Sequence, residues 1–570
     1  MSRLTVWVLL AATCACTTPS PRVADITDAY LERYFEMYPA RATALGRTDH
    51  DGRLEWPTDE GVRAWVRYQD DVDAALRTAV ALPDATAEER LDAEVLWSQT
   101  ARERHDYVVR RRHETDPLFW TGLAADATTY LVVRDNRPLQ DRAADAVRRV
   151  ERIPALAAEA IRRVDAAPAG RLSAEVCRIA AAQAQAAAVF YRSGFTTFAA
   201  DGGVDAGPQA SQAADALATL ANHLDAASLR ASGSARLDRH YARTLQVGLA
   251  TDRTPEDLLA TAERDLLNVR QEAAAYGRSI WSTVMGSRPP PVNERALLRA
   301  LFDRVAADRD EDLASYTAHW HHTIRELTAF VREHDVMTIP EPLPLVVAES
   351  PPYFLGQSVG GVYSPGPYAP DAPTLLFLPA PRADATASQR TAFFRDFNRH
   401  FTQMIAPHEL VPGHYVQAGH AARHPHVVRA IFADPLYVEG WGTFCERLLL
   451  DLGWGGPLTR LAHLKKQLEN VARTIVDVRV HTAGMTREEV LRFVRDEALQ
   501  EDQFAANMWT RAITSSPQMV TYHEGYREVR QVYDAARRAA GASFSLRTFM
   551  DEMMALGPVP VRHYRARMAR

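Results

Sequence analysis

His408-Glu409-Leu410-Val411-Pro412-Gly413-His414, with Glu439 25 residues further on in Tyr437-Val438-Glu439-Gly440-Trp441, holds the donor set of a hydrolytic zinc centre. Two imidazoles and a downstream carboxylate supply three protein ligands and leave a fourth position open. The carboxylate of Glu409, beside the first imidazole, is suited to act as a general base toward water. Zinc is the cofactor that two histidines and a carboxylate fit best. The histidines lie six residues apart, whereas sharing one helical face at about 3.6 residues per turn needs a spacing of about four. Pro412 removes a backbone donor and Gly413 permits unusual dihedrals, so the spacing predicts a bent or bulged helix that brings His414 round beside His408. Glu446 lies seven residues past Glu439, two turns along the same helical face, and is expected to support a ligand from behind. The plainer alternative makes Glu439 and Glu446 solvated helix residues.

The pattern His-Glu-x-x-Pro-Gly-His, then Glu-Gly-Trp with a second Glu seven residues on, resembles the bacterial domain-of-unknown-function 885 family. Four further segments are similar to that family: Tyr38 to Gly46, Arg473 to His481, the Ser516-Pro517-Gln518 element with Tyr522 and Gly525, and the closing stretch from Phe544 to Pro558. The resemblance implies a zincin-like metallopeptidase of mostly helical fold across essentially the whole mature chain. It carries a more distant likeness to the thimet-oligopeptidase-like gluzincins, where a glutamate at this distance is the third ligand. The chain departs from the pattern at the residue before Gln518, where the family has glycine, and in the Gly-Thr-Phe-Cys after the Glu439 segment. These departures bear on substrate fit more than on metal binding.

With 570 residues and 47% hydrophobic content, the chain is long enough to bury a large core. A net charge of −6 gives no electrostatic reason to expect nucleic acid as a partner. Residues 1 to about 20 read as an export signal: Arg3, an apolar stretch from Leu4 to Thr13, then Cys14 and Cys16. Ala15 before Cys16 favours Cys16 as a lipidated N-terminus, which implies a membrane-anchored lipoprotein facing the periplasm or cell exterior; a plain secretory signal is the alternative. Cys177 and Cys445 then leave room for one disulfide at most, and Cys445 is most simply a small buried residue.

The remainder, 21–570, is expected to be one mainly α domain, a large helical fold enclosing a cleft, with a helical part to about 335 and a metal-site part from about 336. Asp145 to Asp165 and Leu258 to Tyr276 carry helical periodicity. Thr254-Pro255-Glu256-Asp257 and Thr486 with Glu489 read as helix starts, and Gly557-Pro558 as the close of the last helix. A small β element precedes the metal helix: Leu343 to Ala348 and Thr374 to Leu378 read as strands flanking a long loop from Pro351 to Pro373. Thr374 to Leu378 is a candidate edge for an extended peptide backbone, with Gly360-Gly361 lining the cleft; an ordinary hairpin is the alternative.

The chemistry these parts suggest has His408, His414 and Glu439 holding zinc while Glu409 moves the proton. The developing oxyanion calls for a second electrophile, and Tyr522 is the first choice, ahead of His523 and His481. Gln518, in the family-like element, is a further substrate-binding candidate. Arg511, Arg473 and Arg479 are candidates to grip a substrate carboxylate, or else to pair with helix carboxylates such as Asp477. The triplet His319, His322 and Glu326, at i, i+3 and i+7 on one helix, could chelate a metal but is more often a solvated face, and the run His420, His424 and His426 reads as incidental. The function expected is hydrolysis of short peptides. The alternatives are hydrolysis of another amide, such as a modified amino acid or cell-wall fragment, and a non-catalytic helical lipoprotein.

Overall fold

The computed structural model describes residues 21–349, 361–382 and 384–568. Cys16 and Gly360 lie outside the described residues. Local signals set many helix boundaries. The Thr254 hydroxyl accepts from the Asp257 N–H at 3.1 Å and starts the helix Pro255–Met285 with Pro at its head. Thr486 and Glu489 close a reciprocal capping box, at 3.3 and 2.8 Å, on Arg487–Asp496. The periodic stretch from Asp145 to Asp165 is divided between two helices, Leu139–Val150 and Ile153–Ala166. Pro154 explains the break, because it has no N–H to continue the ladder and belongs in a first turn. Gly557, at φ 81°, ends the helix Leu546–Ala555, but a further helix, Val561–Met568, follows it.

The fold is mainly α, running from Val23–Met37 to Val561–Met568 with one small sheet among the described residues. That sheet is neither the expected pair of strands with an open edge nor the ordinary hairpin of the alternative reading. Its strands are β1 (Leu345–Glu349), β2 (Gly361–Tyr363) and β3 (Thr374–Leu378), in the order β1-β3-β2. β3 pairs parallel with β1, Leu345 opposite Thr374, and antiparallel with β2, Val362 opposite Leu376. The expected edge at Thr374 to Leu378 is therefore the centre, with both its ladders occupied. All five residues of β3 are buried, as a continuous apolar run requires of a strand covered on both faces.

The main core crosses residue 335. Val23, Tyr30 and Leu96 belong to the same buried cluster as Leu327, Val336, Met404, Trp441, Leu468 and Tyr564. A second, Ala-rich cluster, from Trp120 to Ala227, is built by helices that include Pro117–Asp126, Ile153–Ala166, Ala174–Phe190 and Gly207–Arg230. Cys177 and Cys445 are both buried free thiols.

Candidate metal centre

The first metal-site helix, Arg399–Glu409, starts at Asn398, whose Oδ1 accepts from the His400 and Phe401 N–H groups at 3.1 and 3.0 Å. Pro407 stands in its last turn and cannot donate to the Gln403 carbonyl four residues back. The Trp454 indole N–H fills that place at 2.8 Å. The helix stops at Glu409 and a separate helix, His414–Ala422, begins at the second histidine. The expected bend or bulge is thus a complete interruption. Its cause is packing: a Cβ on Gly413 would lie 1.9 Å from the His408 carbonyl oxygen and 2.4 Å from that of Pro407. The Trp441 indole N–H donates to the Pro412 carbonyl at 2.9 Å, fastening the turn to the helix Pro435–Asp451 that carries Glu439.

Two glycines in that helix make room on opposite sides. A Cβ on Gly442 would meet the His408 ring at 2.8 Å. A Cβ on Gly440 would meet the Gly525 backbone at 2.3 Å, so the helix Thr521–Ala540, which carries Tyr522, crosses glycine on glycine.

These contacts bring His408, His414 and Glu439 together, with one donor atom from each lying within 4.8 Å of the others; among the described residues no other group of three meets that condition. Glu439 Oε2 stands 3.4 Å from His408 Nε2 and 3.7 Å from His414 Nε2. Donors around a tetrahedral zinc with metal–ligand bonds of about 2.0 Å are roughly 3.3 Å apart, so the residues present fit the ion. The rings of His408 and His414 lie 84° to one another, their centroids 4.6 Å apart. Burial penalises the Glu439 carboxylate, but the two imidazoles outweigh it and hold its pKa well below the ordinary value.

Behind the ligands, Glu446 Oε1 accepts from His408 Nδ1 at 2.8 Å, which leaves Nε2 directed at the site. Its other oxygen accepts from His463 Nδ1 at 3.1 Å. Burial again opposes ionisation, and the two imidazoles hold the Glu446 carboxyl down to about 2. His414 Nδ1 faces Gln417 Oε1 at 3.4 Å. Sequence reasoning missed both His463 and Gln417. Gln417 could have been found, since it lies three residues past His414 on one helical face. No spacing links His463, on Pro457–Ala483, to Glu446. Replacing Glu446 with Gln is expected to weaken zinc binding by about 10- to 100-fold while leaving the melting profile cooperative; competition with a chromogenic chelator measures it, and unchanged affinity would count against the supporting role.

The centre opens on a cavity of about 790 Å³ lined by His408, Glu409, His414, Glu439, Arg473 and Tyr522 among others. The Tyr522 oxygen accepts from Gln518 Nε2 at 2.8 Å and from Arg511 Nη2 at 3.2 Å. With both lone pairs engaged, its own O–H remains available as a donor, on a residue that lines the cavity. Gln518 also reaches Glu439 Oε1 at 3.5 Å and accepts from Arg511. Arg473, its guanidinium 4.4 Å from the Tyr522 ring centre, is tied to Glu469 at 2.5 Å. Lys466 shares the same carboxylate at 3.1 Å.

Other sequence candidates stand apart from the cavity. Arg479 pairs with Glu263 at 2.6 Å. His481 bonds the Ala512 carbonyl at 2.9 Å and stacks on Tyr241, and His523 pairs with Asp265 at 3.1 Å. None of the three lines the cavity, and neither do Arg511 and Gln518. His322 pairs with Glu326 on an exposed surface and His319 faces the Arg399 carbonyl. His420 bonds the Thr338 carbonyl, His424 faces the Ala555 carbonyl and His426 pairs with Asp92, so each has a local structural partner. Gly361 and Val362 of β2 do line the cavity, so the strand bordering the site is β2 rather than β3 alone.

A model of a family of bacterial proteins of unknown function, DUF885, matches residues 39–568. The solved structure of a provisionally assigned lipoprotein of unknown function from Shewanella oneidensis superposes with a TM-score of 0.79 at 24% identity, covering 96% of this chain and 100% of that one. A provisionally assigned lipoprotein from Colwellia psychrerythraea superposes with a TM-score of 0.77 at 15% identity, covering 96% of this chain and 98% of that one. At these identities the likeness is one of fold. A carboxypeptidase from Pyrococcus furiosus aligns with a TM-score of only 0.38 at 10% identity and carries no argument. No curated protein matches the chain in sequence. No helix among the described residues is long and apolar enough to cross a membrane.

Proposed function

We propose a function for the chain, which belongs to the bacterial family DUF885: it is a zinc-dependent hydrolase of peptide bonds in short peptides, exported and anchored through a lipid on Cys16. The observation that supports this reading is the convergence of His408, His414 and Glu439 in the wall of a cavity that Glu409 also lines. A binding-only zinc site has no use for a free carboxylate beside its first ligand.

His408, His414 and Glu439 would hold the ion, which when bound supplies a Lewis acid for the scissile carbonyl and for water. Glu409 takes a proton from the attacking water and returns it to the leaving amine nitrogen. The Tyr522 hydroxyl donates to the oxygen on which negative charge develops, oriented by Gln518 and Arg511. Glu446 holds His408 in one tautomer and ring orientation. A cavity of about 790 Å³ suits a peptide of a few residues.

The test is elemental analysis of the purified mature protein beside His414→Ala, with cleavage of a mixed short-peptide set followed on the same samples. The expected result is about one zinc per wild-type chain, absent from the variant, with chelator-sensitive cleavage by the wild type alone. A wild-type protein that takes up no metal when zinc is supplied overturns the reading.

A further inference from the structure

Of the three arginines expected to grip a substrate carboxylate, each is already engaged. Arg473 is held by Glu469, Arg479 by Glu263, and Arg511 by Gln518 and Tyr522. Arg41 is different. It belongs to the Tyr38-to-Gly46 segment, on the short helix Pro39–Ala44, nearly 370 residues before the metal ligands, and it lines their cavity. Its guanidinium donates to the Ile431 carbonyl at 3.3 Å, and among the described residues it forms no ion pair.

Arg134 makes the same wall more positive. It is only 6% exposed, donates to the Ser364 carbonyl at 2.5 Å and lies 5.1 Å from the ring centre of Tyr130. It too forms no ion pair among the described residues, and its Nε has no hydrogen-bond partner. Tyr130 and Ser364 both line the cavity. The loop carrying Ser364 is pressed onto the end of the Arg41 helix: the Tyr368 N–H donates to the Leu45 carbonyl at 3.2 Å, and a Cβ on Gly366 would fall 2.2 Å from that oxygen. The arrangement is therefore fixed by backbone contacts. A buried guanidinium without a counter-ion costs stability, and an anion brought to this wall offsets that cost. Elsewhere in the lining, Lys466 and Arg473 already share the Glu469 carboxylate.

We propose that Arg41, with Tyr130 beside it and Arg134 behind, is the subsite for a substrate carboxylate, so that the preferred substrates are short peptides with a free carboxyl group. The proposal rests on the peptidase reading above. The planar fork of Arg41 matches a carboxylate with two parallel hydrogen bonds, and the unpaired charge of Arg134 adds to the attraction.

The experiment is calorimetric binding of trialanine and of its C-terminal amide to Glu409→Gln protein, which removes turnover, compared in that background with Arg41→Gln and Arg41→Lys. The acid is expected to bind at least about five-fold tighter than the amide, with the difference abolished by Arg41→Gln and partly restored by Arg41→Lys. Equal binding of acid and amide, binding of neither, or a preference for the acid that survives Arg41→Gln overturns the proposal; the last result would place the carboxylate on the metal instead. Cleavage of the same peptides by the wild type is scored separately. If it is absent while the Arg41-dependent preference persists, the peptidase reading fails and the subsite stands.

Discussion

Glu409→Gln protein is expected to bind zinc as the wild type does and to cleave short peptides about 10³-fold more slowly. The substitution is nearly isosteric, and Glu409 is not among the three converging donors, so the metal site keeps its ligands. What disappears is the proton acceptor. An amide cannot take a proton from water or return one to an amine leaving group, and general acid–base catalysis is commonly worth about 10² to 10⁴ in rate. Glu409 lines the cavity, so the lost function is exerted directly on what the cavity holds. Steady-state kinetics with zinc content measured on the same sample make the check. Cleavage within a few-fold of wild type would assign the base to another residue, and parallel loss of zinc would make Glu409 a structural support of the ligands.

Gly413→Ala is expected to abolish zinc binding and destabilise the fold by about 3 kcal/mol. The new Cβ would sit 1.9 Å from the His408 carbonyl oxygen, and its neighbours are backbone atoms of the preceding helix, not flexible side-chain tips. Relief requires the turn between the two helices to open, which carries His414 away from His408. The Trp441 bond to the Pro412 carbonyl resists that opening, so strain passes into the helix that carries Glu439. Gly122→Ala is the control, because a Cβ there meets nothing within 4 Å. Thermal denaturation with zinc titration distinguishes the two; a Gly413→Ala protein that melts and loads zinc like Gly122→Ala would show that the turn tolerates the side chain.

The helical character of the chain was legible because helix-start chemistry is local: Thr254, Thr486 and their acidic partners declare themselves within four residues. The proximity of His408, His414 and Glu439 was legible for a similar reason, since few arrangements of those types at that spacing make sense otherwise. The form of the link between the histidines was not. Whether Pro412-Gly413 bulges a helix or ends it depends on Trp441 and Trp454, which reach the turn and the preceding carbonyl from other elements. β2 escaped notice because three residues beginning with glycine carry no alternation, and without it β3 looked like an edge. His463 and Arg41 were invisible as site residues for one physical reason: their place is set by packing between distant segments, which leaves no periodic trace.

The single main core also governs the order in which the molecule can be completed. Val23 and Tyr30 share it with Val561 and Tyr564, so a nascent chain lacks part of its own interior until those two residues have left the ribosome. The Ala-rich cluster from Trp120 to Ala227 draws on nearby segments and can condense early. A polypeptide that emerges from its N-terminus would hold Arg41 in waiting for nearly 370 residues before His408 and His414, which line the same cavity, could join it.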